Sequence, residues 1–574
     1  MQAIPFDPLD YPHPSRRTVV YARNGMTCAG NPTAASVGLQ VLLKGGNAVD
    51  AAVAMAAVMP LAEPTGNGLG SDAFVMVWKD GKLYGLNGSG PSPKSASIEA
   101  LRAKGCEKIP AYGVLASDVP GAVGAWAAVH ERFGQLQFAD VLAPAIEYAE
   151  NGFPVSPTVA DLWGRAVKLY SGMRSDAQFE PWFTHFAPQN RAPEPGEIFR
   201  SSDIAATLKR IAETKGEAFY RGEIAEKIAA FFAAHGGLLT ADDLASWRPE
   251  WVEPLSVNYR GYDVWEMPPN GHGITVLMAL KTLSGMQLGA PLTAETMHQQ
   301  IEAMKLAMSD TAEHVTEPSA MRVTTDELLS DEYAAKRRAL IGEQALLPKA
   351  GDPRGSSTVY FCTADRDGMM VSFIQSNYRG FGSGIVIPGT GISMNDRMEN
   401  FRFDPAHANC LEGGKRPYHT IIPGFLMKEG KAVIALAGNE FAGFSYIESW
   451  GNKQYVTTSG LIVHPNFRGL GIAKRIKDMT FQLARMRWPK AKIFSLTSGA
   501  AVMKMNTELG YVPVTFSDLT DDEAFWRGCN GCVNHDILER TERKYCICTA
   551  MLFDPADPHR AQREREARNQ TKKD

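Results

Sequence analysis

A chain of 574 residues is too long for one ordinary hydrophobic core, so two or more folding units are expected. Hydrophobic residues at 44% and charged residues at 21% are the balance of a globular protein, which sets aside fibrous and disordered classes. With 59 Lys and Arg against 63 Asp and Glu, the net charge of -4 gives no field to draw in nucleic acid or an anionic membrane surface, and neither is expected as a partner.

The chain begins MQAIPFDPLDYPHPSRR, with four prolines and no apolar segment of the kind a secretory signal needs. No run of about 18 apolar residues suggests a membrane span. Eight cysteines are present, with Cys28, Cys106, Cys362 and Cys410 scattered and four grouped near the C-terminus. That pattern suits a reducing compartment better than a disulfide framework, so a cytoplasmic location is expected.

In chain order, residues 33 to 60 predict two helices, TAASVGLQVLLK and NAVDAAVAMAAVM, separated by Gly45-Gly46. FVMVWKDGKLYGLN predicts a hairpin turning on Asp80-Gly81. Residues 110 to 340 are mostly helical by pattern. After residue 355 the period becomes two: TVYFCTAD and MMVSFIQS flank Arg366-Asp367-Gly368, while HTIIPGFLM and KAVIALA flank Lys428-Glu429-Gly430. Helices followed by strands predict a layered α+β core. From residue 438 the texture changes. YVTTSGLIV predicts a strand, HPNFRGLGIAKRIKDMTFQLARM a glycine-rich turn opening a helix, IFSLTS a strand and AAVMKMNTELGY a helix. The last stretch, PHRAQREREARNQTKKD, is polar enough to be a solvated tail.

Three hydroxyl residues, Ser356, Ser357 and Thr358, stand in mid-chain at the mouth of a predicted strand. A hydroxyl becomes a good nucleophile when a base takes its proton, and the α-amine of the same residue serves once that residue becomes a new N-terminus. Attack of Thr358 on the preceding carbonyl, cutting the Ser357-Thr358 bond, would create that terminus. By local chemistry alone, a plain hydroxyl-rich loop before a hairpin is the commoner reading.

Over residues 18 to 437 the segments KGGNAVDAAVAMAAVMPLAEPTGNGLGSDAF, SDVPGAVGAW, PPNGHGITVLMAL, NYRGFGSGIVIPGTGI and GKRPYHTIIP resemble the gamma-glutamyltranspeptidase family of N-terminal nucleophile hydrolases, nearest its amidohydrolase and cephalosporin-acylase branch. The resemblance implies an αββα sandwich cut into a large and a small subunit that stay associated, acting without a cofactor on a small-molecule amide. It places Thr358 at the family's nucleophile and Ser376 where members carry a hydroxyl bonded to it. Members that bind glutamate use an arginine for its α-carboxylate, for which a planar fork is suited; Ser89 stands at that position here. The residues that hold glutamate's α-amine fall on Tyr378, Asn400 and the pair His419-Thr420, none of which repeats the family's charge pattern. An amide other than a gamma-glutamyl one is therefore expected. Arg397 and Arg416 are the candidates to hold a carboxylate, with structural ion pairs as the competing reading. After KAVIALA the family continues into a Gly-Gly oxyanion hole, whereas this chain reads GNEFAGFSYIES, and losing one such donor typically costs about a hundredfold to a thousandfold in rate.

The C-terminal part carries two further constellations. Arg468, Gly469, Gly471 and Ala473 sit in a strand-to-helix turn of the kind whose free N–H groups bind pyrophosphate. With the strand and helix that follow, the segment resembles the acyl-CoA-binding half of a GNAT-type N-acetyltransferase, which implies acetyl-CoA as a possible ligand. Cys529-x-x-Cys532 and Cys546-x-Cys548 bring together four thiols that either close a tetrahedral structural zinc site or remain unligated. The organisation expected is thus a large-subunit region over 1–357, a shortened small-subunit region over 358–437, a partial GNAT-like α/β domain over 438–553 and a charged tail over 554–574. A self-processing amidohydrolase is the leading reading, an acetyl-CoA-dependent transferase or CoA-binding protein the alternative, and an inactive zinc-stabilised interaction protein the third.

Overall fold

The computed structural model describes residues 22–290, 293–346, 357–436, 443–450, 454–463, 472–497, 500–519 and 548–557, together with residues 526, 540, 541, 546 and 563. They divide into two compact units: the described residues within 21–287 and 299–438, and those within 288–298 and 439–574. No helix among the described residues is long and apolar enough to cross a membrane.

The first unit opens on the two expected helices. Helix α1, Pro32–Leu43, is capped by Asn31, whose side chain accepts from Thr33 N. Helix α2, Ala48–Ala62, starts on a capping box between Asn47 and Asp50, and all fifteen of its residues are buried. A helix that is apolar all round belongs in an interior, and its run of alanines lets neighbouring layers approach closely.

The strands of this unit, in order, are β1 (Gly25–Ala29), β2 (Asp72–Lys79), β3 (Lys82–Gly88), β4 (Phe153–Pro154), β5 (Ile198–Phe199), β6 (Glu250–Val252), β7 (Leu255–Tyr259), β8 (Tyr262–Glu266), β9 (Ser357–Asp365), β10 (Met370–Tyr378), β11 (Val386–Ile387), β12 (Ile392–Ser393), β13 (Gly424–Lys428) and β14 (Lys431–Leu436). One six-stranded sheet runs β1-β9-β10-β2-β3-β6 and a four-stranded sheet runs β14-β13-β8-β7, with β4–β5 and β11–β12 as small separate pairs. The hairpins β2–β3, β9–β10 and β13–β14 are those the period-two pattern predicts. In β2–β3 and β13–β14 the turn residues Asp80-Gly81 and Glu429-Gly430 have the positive φ that tight hairpins require. A fourth hairpin, β7–β8, turns on Arg260-Gly261 with the same positive φ inside a region the sequence pattern assigns to helices.

Alternation along each strand separates the layers. On β2, Ala73, Val75 and Val77 face a core shared with α2, Trp126, Phe361 and Phe373. Phe74 and Met76 face the other way, onto Met267, Ile421, Phe425 and Met427 of the second sheet and its approaches. The helix Gly273–Ser284 covers that second sheet through Leu277, which packs with Val257 and Val264. The result is the αββα sandwich that the family resemblance implies.

One bond set ties these layers together beside the hydroxyl run. Pro60 lies within α2 and has no N–H to give the carbonyl of Ala56, four residues earlier. Gln375 of β10 supplies the donor, Nε2 to Ala56 O at 3.0 Å, and also bonds Asn67 Oδ1 at 2.7 Å. Its own oxygen accepts from Trp126 Nε1 at 3.1 Å. All of these side chains are fully buried. Replacing Trp126 with Phe strands the Gln375 oxygen and leaves part of the indole space empty, which together should lower stability by at least about 1–3 kcal/mol. Urea unfolding of the two proteins measures it, and an unchanged midpoint would show that the oxygen finds another donor.

The second unit contains β15 (Gly443–Trp450), β16 (Tyr455–Val463), β17 (Lys492–Thr497), β18 (Val512–Val514) and β19 (Thr549–Phe553), ordered β15-β16-β17-β19-β18. Strands β16 and β17 run parallel, and the amphipathic helix Ile472–Arg487 lies between them in the chain; the other pairs are antiparallel. Phe481, Ala484, Ile493, Tyr511, Met551 and Phe553 form its core.

Candidate active site

Thr358 stands at the start of β9, the second strand in its sheet, where its hydroxyl donates to Ser376 Oγ on β10 at 3.2 Å. The register between these strands shifts from Gln375↔Val359 to Tyr378↔Ser357, a bulge that sets Ser376 and Asn377 against Thr358. Ser376 Oγ also accepts from Tyr378 N at 2.8 Å, which holds Tyr378 at a φ of 81°, unusual for a residue with a side chain. The loop carrying Gly66 lies against the threonine. A Cβ at Gly66 would sit 3.1 Å from Val359 Cγ1 and 3.7 Å from the Thr358 carbonyl carbon, and Gly66 O accepts from Asn377 N at 3.3 Å. Two positions on, a Cβ at Gly68 would fall 2.0 Å from Ser393 Oγ and 3.1 Å from Asn377 Nδ2, so a side chain there would displace Ser393.

Behind Tyr378 lies a group of charges with no solvent exposure: Asp72, Asp118, Asp396, Arg397 and His419. The Arg397 guanidinium stands 5.1 Å from the Tyr378 ring centre, donates to Thr420 Oγ1 at 2.9 Å and lies 3.5 Å from Asp72 Oδ2. His419 Nε2 meets the same Asp72 oxygen at 3.0 Å, and its ring stands edge-on to Phe74. Asp72 is opposite Ser376 in the β2–β10 register, so the charge group and the Thr358–Ser376 pair are carried by neighbouring strands.

Six of the residues singled out in the sequence are thereby joined in one network. From His419 it continues through its N–H to Asn270 O at 2.9 Å and from Asn270 Nδ2 to Ser89 Oγ at 3.1 Å. Ser89 is fully buried and spends its own hydroxyl hydrogen on Asn87 Oδ1 at 2.7 Å. Asn400 ends the short turn Arg397–Asn400; its Nδ2 has no hydrogen-bond partner among the described residues, and its carbonyl accepts from Asn409. Of the two candidate arginines, Arg397 is the buried counter-ion just described. Arg416 pairs with Glu250 at 2.7 Å and Glu317 at 3.6 Å. It also walls a cleft of about 860 Å³ with Pro91, Trp247, Glu250 and Lys415. The segments forming those walls lead on to Ser89 and to His419-Thr420.

The sequence reading singled out Arg397 but not the three aspartates around it. Each stands inside a quoted family-like segment or near one (GSDAF, SDVPG, and Asn395-Asp396 after GTGI), and acid residues without a partner in sequence give no sign of where they converge. In the second unit, Arg468, Gly469, Gly471, Cys529 and Cys532 lie outside the described residues, as do residues 437–442 where the oxyanion segment departs from the family pattern. Ala473 falls in the first turn of the helix Ile472–Arg487. Cys546 and Cys548 are partly buried against Phe494, Phe516 and Trp526. Among the described residues no group of three or more His, Cys, Asp or Glu is placed to hold a metal ion.

Burial sets the protonation of the charge group. It pushes Asp72 up to about 7, against Arg397 and backbone N–H groups that pull it down, and Asp396 up to about 8. Asp118 is held well above the carboxylate range by burial and then by the neighbouring Asp72. His419 is held well below 6.5 by burial first and then by Arg397. The folded chain keeps protons on these carboxyls that the unfolded chain releases near pH 4, at about the ordinary carboxylate value. Their stabilisation is therefore complete at low pH and is lost as pH rises through about 7 to 8. The buried histidines work in the opposite sense, but only below about pH 6.5, where the unfolded imidazole takes up a proton. Asp396→Asn keeps the oxygen that accepts from Arg379 N at 3.0 Å and removes the titration. From pH 7 to 9 the urea midpoint of the parent should fall relative to that of D396N; a parent midpoint that gains on the variant would contradict the raised carboxyl.

The sequence profile of the gamma-glutamyltranspeptidase family matches residues 34–440. A glutathione hydrolase-like YwrD proenzyme of Bacillus subtilis is 38% identical over 408 residues, 70% of this chain and 76% of that protein. An oxamate amidohydrolase proenzyme of Klebsiella pneumoniae is 33% identical over 470 residues, 80% of this chain and 85% of that protein. Among solved structures, a cephalosporin acylase from Bacillus halodurans is 48% identical and superposes with a TM-score of 0.74, covering 84% of this chain and 92% of its own.

Proposed function

Because the chain belongs to the gamma-glutamyltranspeptidase family of N-terminal nucleophile hydrolases, we propose that it is a self-processing amidohydrolase whose nucleophile is Thr358. The observation that carries the assignment to this residue is the Thr358 to Ser376 hydrogen bond at a strand mouth braced by a bulge and a glycine loop. In the first reaction Thr358 Oγ1 attacks the Ser357 carbonyl carbon, the C–N bond breaks, and the acyl group passes from nitrogen to oxygen. The nitrogen takes the hydroxyl proton and becomes the free Thr358 α-amine; water then hydrolyses the ester, which parts the chains and restores the Thr358 hydroxyl. In the second, that amine takes the hydroxyl proton as Oγ1 attacks the amide carbon of the substrate. The proton goes to the leaving nitrogen, and water cleaves the acyl-enzyme ester. Ser376 orients the hydroxyl in both steps.

The substrate is an amide without a gamma-glutamyl recognition requirement. What supports this is Ser89, whose hydroxyl is committed to Asn87 and Asn270 where a carboxylate-binding arginine would be needed. The relatives act, by their names, on amides as different as oxamate and cephalosporins, which is consistent with a shared nucleophile and a divergent acyl pocket. Thr358→Ala should abolish both self-cleavage and hydrolysis of simple amides. Ser376→Ala should slow both by about a hundredfold through misplacement of the nucleophile. Intact mass under denaturing conditions reads the first reaction and amine release the second. Cleavage at Ser357-Thr358 that persists in the alanine variant would sink the mechanism.

A second reading concerns the C-terminal unit as an acyl-CoA-binding element. What supports it is the parallel β16–β17 pairing with the helix Ile472–Arg487 joining the two strands in the chain, since a helix start that follows a strand offers N–H groups to a pyrophosphate. Calorimetry of the full chain with acetyl-CoA tests it. Gly471→Leu should weaken binding about tenfold or more by filling the approach to the backbone, and absence of any binding heat in the parent would remove the reading.

A further inference from the structure

Two thiols outside the proposed chemistry face each other across the strand that begins with Thr358. Cys28 lies in β1 and Cys362 in β9, directly opposite in the antiparallel ladder. Directly opposed residues in such a ladder have Cα atoms about 4.5–5.5 Å apart, within the range of about 4.4–6.8 Å that a disulfide spans. Opposed pairs also share a face of the sheet, so the two side chains leave it on the same side. Burial alternates along β1 and turns Met26 and Cys28 outward; Cys28 is exposed and Cys362 partly buried. A hydrogen bond between the two thiols is the first cause, ahead of burial, that raises the Cys362 pKa. Cys362 thus holds its proton more firmly than a free thiol, and the exposed Cys28 is the sulfur that a reagent in water reaches first.

We propose that Cys28 and Cys362 are a redox site, closing to a reversible disulfide that staples β1 to the nucleophile-bearing strand. The oxidant is a small-molecule disulfide. The Cys28 thiolate attacks one of its sulfurs and expels one thiolate. Cys362, losing its proton, then attacks the Cys28 sulfur of the mixed disulfide and expels the second. The two protein thiols give up two electrons and two protons, and the small disulfide becomes two thiols. Among the described residues β1 is an edge strand, joined to the sheet through β9 alone, so this bond fastens β1 to the nucleophile strand where one ladder holds it. If Ser357-Thr358 is cut, as the functional reading above requires, β1 and β9 belong to different polypeptides and the same bond becomes a covalent link between subunits.

The test uses the full-length protein and its Thr358→Ala variant, each incubated with oxidised glutathione, alkylated and digested. A cross-linked peptide joining residues 28 and 362, two hydrogens lighter than the sum of its parts, is expected in both proteins and is lost in Cys28→Ser. The parent should then run as one band in denaturing electrophoresis without reductant and as two bands with dithiothreitol. Glutathione retained on Cys28 with Cys362 still open to alkylation, or both thiols alkylated after oxidation, would overturn the proposal. A cross-linked peptide in a parent that never yields two bands would leave the staple standing and remove the cleavage reading instead.

Discussion

Gln375 is the hinge on which the active-site geometry turns. A proline inside a fully buried helix leaves one carbonyl without a donor, and in a dry interior that group needs a partner. Gln375 answers it while its own oxygen takes the Trp126 N–H, so a strand and two helices of the same layer, α2 and Ala122–Phe133, are locked through one amide. The next residue in the strand is Ser376. Its position opposite Thr358 is therefore set by the core rather than by the loop that follows, and the bulge after Gln375 has a fixed point from which to bend.

The charge group behind the site works by a different principle. Asp72, Asp118 and the adjacent Asp396 and Arg397 come from three separated stretches of chain and meet with no water contact. Desolvating so many charges is costly, and replacement by packed apolar residues is often neutral or stabilising in other proteins. Retention of the group beside Tyr378 and Ser376 fits a positional role: one guanidinium reaches Asp72 and Thr420 at once and so fixes the 419–420 segment against β2. Neutral carboxyls and a neutral His419 reduce the number of charges actually carried at pH 7.

Much of this was legible in the sequence, and the residues show why. Hairpins at Asp80-Gly81 and Glu429-Gly430 announce themselves because turn chemistry and period-two alternation agree. The β7–β8 hairpin has the turn signal at Arg260-Gly261, but its strands, LSVNY and YDVWE, are half-buried and mixed in polarity, so helical surroundings mask them. Strand β1 is five residues with only alternate burial and gains its identity from pairing with residues more than 300 positions away. The Thr358–Ser376 pair could be named from sequence because the family pattern spaces it. The aspartate cluster could not, since convergence of residues 72, 118 and 396 is a property of topology, and nothing local to any of them distinguishes a buried acid from a surface one.

The strand order β1-β9-β10-β2-β3-β6 interleaves chain from before residue 357 with chain from after it. A break at that point would leave neither fragment with a complete sheet: β9 and β10 would sit between β1 and β2, which belong to the other piece. Assembly would then have a direction in time. The continuous chain can find this arrangement with both halves at high effective concentration, whereas separated fragments would have to search for each other with exposed strand edges. The mature molecule would thus owe its persistence to the slowness of its unfolding, and its half-life at temperature, rather than a reversible midpoint, would be the meaningful measure of its durability.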